Sequence, residues 1–182
     1  MRRICFVAIL LWAMPALGDD EASNVAIVRA SEYGQCYAKS VPDELYGTAG
    51  TTNVFRVEKD RDVSVHSYDW FSQRIFIECN VSDSKTPTGV SVIRLGPWSR
   101  GHLARADQLA IAFYFKGQML KEYSTLDIAG SPENVSASVS HYTVIEKVLG
   151  YRRLGGNRAL FDVETVAGRT ITFDAASGEI VR

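Results

Sequence analysis

Gln108 to Thr125 is QLAIAFYFKGQMLKEYST, and its spacing decides how the rest of the chain is read. Leu109, Ile111, Phe113 and Phe115 recur at every second position, the period of a β-strand and not of a helix. Such a run has to be buried. Lys116-Gly117-Gln118 then interrupts it with a residue that takes positive φ at no steric cost, and a second run, Met119 to Tyr123, follows. The stretch is therefore expected to form a central β-hairpin.

The segments on either side repeat the pattern. Val25 to Val28, Cys36 to Val41, Thr51 to Val57, Val63 to Trp70, Arg74 to Cys79, Val90 to Leu95 and His141 to Leu149 are strand-like. They are divided by turn formers: Glu32 to Gln35, Pro42 to Gly50, the charged tip Glu58 to Asp62, the polar loop Asn80 to Gly89, and Gly96-Pro97. Asp19 to Ser23 is polar and is expected to fray. In RIFIEC, Ile75, Ile77 and Cys79 fall on one side and Phe76 and Glu78 on the other. At the C-terminus a three-residue loop Val166-Ala167-Gly168, with Gly168 left-handed, would set Val163 opposite Ile171 and Phe161 opposite Phe173. The same register turns Asp162, Glu164, Thr170 and Thr172 outward. One helix is expected: Ser131-Pro132-Glu133 has the form of a helix start, placing a short helix near 132–137. The fold class is mainly β, an antiparallel meander of about ten short strands forming a sandwich or a partly closed barrel.

Residues 1–18 have two arginines, a short apolar run from Ile4 to Met14 and small residues before Asp19, the pattern of a secretory signal peptide. The run is shorter than the ~20 residues a membrane-crossing helix needs, so no membrane span is expected after cleavage. Residues 19–182 then form a single β-rich domain, periplasmic or secreted. Without Arg2 and Arg3 it holds 18 basic and 21 acidic residues, a mildly acidic balance that offers no field for nucleic acid or anionic lipid. Cys36 and Cys79 are the two cysteines left in an oxidising compartment, and a disulfide between them is expected.

No motif carries chemistry. Ser82 and Lys85 have S-x-x-K spacing, but the S-x-N and K-T-G elements that accompany it in penicillin-binding enzymes are absent. Gly47-Thr48-Ala49-Gly50 lacks the lysine of a phosphate loop, and no G-x-S-x-G elbow occurs. His66, His102 and His141 are isolated from one another, without the close pair a zinc site uses, so neither metal nor cofactor is expected. Asp162 and Glu164 face solvent in the register above and make no acid and base pair.

Two function classes remain. The first is a non-catalytic binding or structural module whose partner is a protein, peptide or glycan. Aromatics lie near loops, and the expected site is Trp98, Arg100 and His102 on one loop with Trp70 nearby. The second is an exported hydrolase in which His141, flanked by Ser138, Ser140 and Tyr142, serves as base.

Two resemblances add to this. The ordered set Tyr37-Ala38-Lys39-Ser40-Val41-Pro42, Gly96-Pro97-Trp98, Tyr123 to Asp127 and Ser138 to Tyr142 resembles exported bacterial proteins of no assigned function, across most of the mature chain. The last hairpin, FDVETVAGRTITFDAASGEI, is similar to the closing hairpin of PepSY domains, which implies a protease-modulating module. Those domains place an alanine-rich helix before the hairpin, a pattern that His141 to Leu154 does not share.

Overall fold

The computed structural model describes residues 21–82 and 88–181. The expected signal peptide and Lys85 of the S-x-x-K spacing lie outside the described residues. The chain is mainly β, with fourteen strands in four antiparallel sheets and one short helix among the described residues. No closed barrel forms among the described residues, and the sheets stack as in a sandwich.

The first sheet is a meander of β1 (Ile27–Ala30), β2 (Cys36–Pro42), β3 (Gly50–Val57) and β4 (Asp62–Tyr68). The second runs β5 (Ile75–Val81), β6 (Gly89–Leu95), β8 (Leu109–Phe115), β9 (Gln118–Ser124). The short β7 (Ser99–Arg100), β10 (Ser136–Ala137) and β11 (His141–Thr143) form a third, in the order β10-β11-β7. A fourth comprises β12 (Ile145–Arg153), β13 (Ala159–Thr165) and β14 (Thr170–Asp174).

The QLAIAFYF run is β8, and it is dry on both sides. Ile111 and Phe113 pack with Ile93, Phe161, Val163 and Phe173, toward the fourth sheet. Ala112 and Tyr114 pack with Ala38, Val54, Ile77 and Val92, toward the first. The second sheet is thus the middle layer of three, which is why β8 carries apolar residues at nearly every position and not only at alternate ones. Its hairpin turn is tighter than expected: Lys116 and Gly117 alone form it, at φ 52° and 82°, and Gln118 already pairs with Phe115. Two left-handed residues in succession match the twist of the flanking strands.

Adjacent residues of β5 tie the middle layer to both neighbours. Cys79 forms the expected disulfide with Cys36 on β2, across a Cα–Cα distance of 6.1 Å. Glu78, on the opposite face and 1% exposed, accepts from Arg153 Nη2 on β12 and from the Cys79 amide. Arg153 also donates to the Cys79 carbonyl at 2.7 Å. A buried carboxylate survives only with this kind of pairing.

The C-terminal hairpin has the expected register, with Val163 opposite Ile171, Phe161 opposite Phe173 and Gly168 at φ 72°. Asp162 departs from expectation. It lies away from Phe161 and Val163, as the register requires, yet is only 8% exposed. Its cross-strand partner is Gly150, which leaves room for Arg152 to fold over it and donate Nε to Oδ2 at 2.9 Å. The segment ahead of this hairpin is the strand β12, where PepSY domains have a helix.

The helix is also elsewhere. It is α1 (Thr125–Ala129), and residues 132–137 form a turn leading into β10. Ser124 and Asp127 make a reciprocal capping box, the Ser124 hydroxyl accepting from the Asp127 amide at 3.1 Å and Asp127 Oδ2 accepting from the Ser124 amide at 2.8 Å. Gly130 closes the helix at φ 76°. The hydroxyl of Ser131, expected to cap a helix, instead donates to the Glu133 carboxylate at 3.0 Å. The additional strands beyond ten are β7, β10 and β11, too short to show a period, and β12, which a break at Val144 separates from β11.

Gly96 ends β6 against the start of β8, its amide donating to the Ala110 carbonyl at 2.9 Å. A Cβ there would stand 1.8 Å from the Leu109 carbonyl oxygen, a backbone atom that cannot step aside. Gly96→Ala should lower the unfolding free energy by about 1 to 3 kcal/mol, while Gly155→Ala, with open space around it, should change it little; chemical denaturation measures both. The double replacement Cys36→Ser, Cys79→Ser should cost about 4 kcal/mol by chain entropy, read as a lower denaturation midpoint that matches the wild type in reductant.

Candidate functional site

Beyond Gly96, the chain leaves the middle sheet through Pro97 and Trp98 and pairs briefly as β7 with β11. His141 lies opposite Arg100 and Tyr142 opposite Ser99. This pairing joins the two sequence-derived candidates in one place. The Trp98 ring meets the His141 ring edge-on, with centroids 4.8 Å apart and planes at 82°. His102 belongs to the same cluster, its Nε2 donating to the Val139 carbonyl at 3.1 Å.

Between these strands and β12 lies a cleft of about 500 Å³. Trp98, Leu109, Ala110, Val144 and Ile145 supply its apolar wall, with His141 among its polar lining. Arg74, Ser138 and Glu146 add further polar groups to the lining. Trp98 is 48% exposed, whereas His141 is 8% exposed. A large aromatic left half in water at a cleft stands apart from the buried aromatics of the cores.

The floor is rigid. The Tyr142 hydroxyl is shared between Gln108 Oε1 and Thr125 Oγ1, the latter at 2.9 Å. Thr125 in turn exchanges hydrogen bonds with the Arg105 backbone, accepting from its amide at 2.8 Å and meeting its carbonyl at 2.9 Å. The start of α1 is pinned to β11 by this network.

His141 Nδ1 lies 2.8 Å from Ser140 Oγ. Its Nε2 is buried and has no hydrogen-bond partner. The nearest carboxylate oxygen, Glu21 Oε2, is 3.9 Å away, beyond hydrogen-bond reach. The same oxygen accepts from Arg100 Nη2 at 3.2 Å. The neighbouring Ser23 carbonyl accepts from Gln73 Nε2 at 3.2 Å.

Trp70 does not join this cluster. It is 6% exposed in the core between the first and second sheets, and it lines a separate concavity with Tyr68, Arg94 and Tyr114. Of the S-x-x-K pair, Ser82 spends its hydroxyl on the Gly156 carbonyl at 3.1 Å. Among the described residues, no group of three or more His, Cys, Asp or Glu side chains is placed to hold a metal ion, and no helix is long and apolar enough to cross a membrane.

Sequence reasoning singles out neither Arg74, which lines the cleft, nor Glu21, which lies 3.9 Å from His141 Nε2 outside that lining. Arg74 sits just ahead of an apolar run with nothing local to mark it, and Glu21 is one of several acids near a chain start. Both reach the cleft region through contacts many residues distant, which periodicity does not encode. No protein-family model, no curated protein and no solved structure matches this chain.

Proposed function

We propose that this is an exported binding module, without catalysis of its own, that takes a peptide or glycan segment into the cleft between Trp98 and β12. The observation that carries the reading is the pairing of a half-exposed indole with a buried, unpartnered imidazole nitrogen in one concave site. A flat or apolar ligand group gains by covering Trp98, and a polar atom on the same ligand gains by reaching His141 Nε2. Arg74 and Glu146 offer charges of both signs along the cleft, suited to a hydrogen-bonding chain and not to a purely greasy ligand. Export is supported by the N-terminal sequence pattern and is in keeping with the Cys36 to Cys79 disulfide.

Peptide and glycan arrays probed with the labelled chain test this directly. The wild type should retain a defined subset of spots, and Trp98→Ala, folded by circular dichroism, should lose affinity for them about tenfold or more, as expected when a central aromatic anchor is removed. Equal retention by the variant would end the proposal.

One observation favours the hydrolase reading. His141 lies in a concave site with a hydroxyl on one nitrogen and a carboxylate near the other. Against it, neither Ser140 nor Glu21 lines the cleft, so a substrate there would meet the imidazole without the proposed nucleophile. If His141 is a base, chromogenic ester, amide or glycoside substrates should be turned over by the wild type and not by His141→Gln. Equal background rates from the two proteins would remove this reading.

A further inference from the structure

The concavity that holds Trp70 has its own chemistry. Tyr68, Trp70 and Tyr114 form an aromatic cluster, Tyr68 stacked on Trp70 with centroids 5.0 Å apart and edge-on to Tyr114 at 4.9 Å. The Arg94 guanidinium lies over the Trp70 ring at 4.7 Å and over Tyr114 at 5.9 Å. These four residues line a space of about 660 Å³ beside the β8 to β9 turn.

Three polar atoms in this wall are buried with no hydrogen-bond partner: Tyr68 Oη, Trp70 Nε1 and Arg94 Nε. Leaving one such atom unpaired costs about 1 to 3 kcal/mol, and three in one concavity is more than a folded core ordinarily leaves unmet. All three can donate. Indole and guanidinium nitrogens do nothing else, and burial, with a smaller contribution from Tyr114, raises the Tyr68 pKa so that its hydroxyl keeps its proton. Among the described residues no carboxylate lies within ion-pair distance of Arg94. The missing partner is therefore an acceptor with negative charge.

Glu44 and Asp69 also line the space. Glu44 Oε1 is engaged by the Ala49 amide at 3.1 Å. Two carboxylates in the same lining oppose a polyanion, and a small, singly charged group is what they tolerate. A planar carboxylate matches the guanidinium fork best.

We infer that Tyr68, Trp70 and Arg94 form a second ligand site, which binds a single carboxylate group. Arg94 turns off the Trp70 face to pair with it, and that movement uncovers the indole and phenol hydrogens to donate to the same group. This site is separate from the Trp98 cleft and does not depend on the function proposed for it.

The test follows the indole N–H resonance of Trp70 by NMR in the full chain, assigned by its loss in Trp70→Phe. Sodium acetate, sodium glucuronate and sodium N-acetylglycinate are titrated against sodium chloride at matched ionic strength. At least one carboxylate should shift the resonance saturably, in the wild type and equally in Trp98→Ala. A response to acetate means that the bare group suffices; a response confined to glucuronate or to N-acetylglycinate identifies a sugar acid or a peptide end as the source. Arg94→Gln should abolish the response, and Tyr68→Phe, a milder change, should weaken binding about tenfold, the loss of one hydrogen bond to a charged group. No saturable shift with any of the three salts, or an unchanged response in a folded Arg94→Gln or Tyr68→Phe, overturns the inference.

Discussion

A strand that is dry on both faces has no side on which to place polar residues, and that constraint governs the middle of this molecule. β8 answers it with Ala110 to Phe115, every one of them buried. The two outer sheets exist to cover it, and β5 fastens both of them through consecutive residues. Because neighbours on a strand point to opposite faces, Cys79 reaches the first sheet while Glu78 reaches Arg153 on the last. One link is covalent and the other is a buried ion pair. The second contributes geometry more than net stability, since desolvating two charges offsets much of their attraction.

The same layering positions both candidate sites. Where β6 comes closest to β8, Gly96 lets the chain leave the sheet, and the exit delivers Trp98 beside His141. At the other boundary, between the first and second sheets, the aromatic residues Tyr68, Trp70 and Tyr114 complete the core and bring Arg94 with them. Each concavity thus lies at a seam where the middle layer meets something else, and in each a buried polar atom is left without a partner.

The strands and the closing hairpin were legible because period two and a glycine in a left-handed turn are local facts. Phe161, Val163, Ile171 and Phe173 needed no tertiary information to be placed opposite one another. The helix was misplaced for a physical reason: Ser-Pro-Glu at 131–133 and Ser-x-x-Asp at 124–127 are both start signals, and only the second closes a reciprocal pair of hydrogen bonds. Asp162 appeared solvated because a strand register says nothing of an arginine folding over from the next strand. Of the loop residues Trp98, Arg100 and His102, Trp98 lines the cleft, whereas Arg100 turns to Glu21 and His102 to the Val139 carbonyl, outside that lining. His141, treated apart from them, proved to be their neighbour only through the β7 to β11 pairing, and Trp70 proved not to be.

β12 is an outer strand of its sheet, and its ladder to β13 is irregular at Ile145 to Lys147 and again at Val148 to Gly150. Such bulges twist the rim, and Glu146 and Lys147 leave exposed charges on it. A long straight rim bearing Val148, Leu149 and Tyr151 would be a template on which another copy could extend the ladder. Bent and charged as it is, this one discourages aggregation.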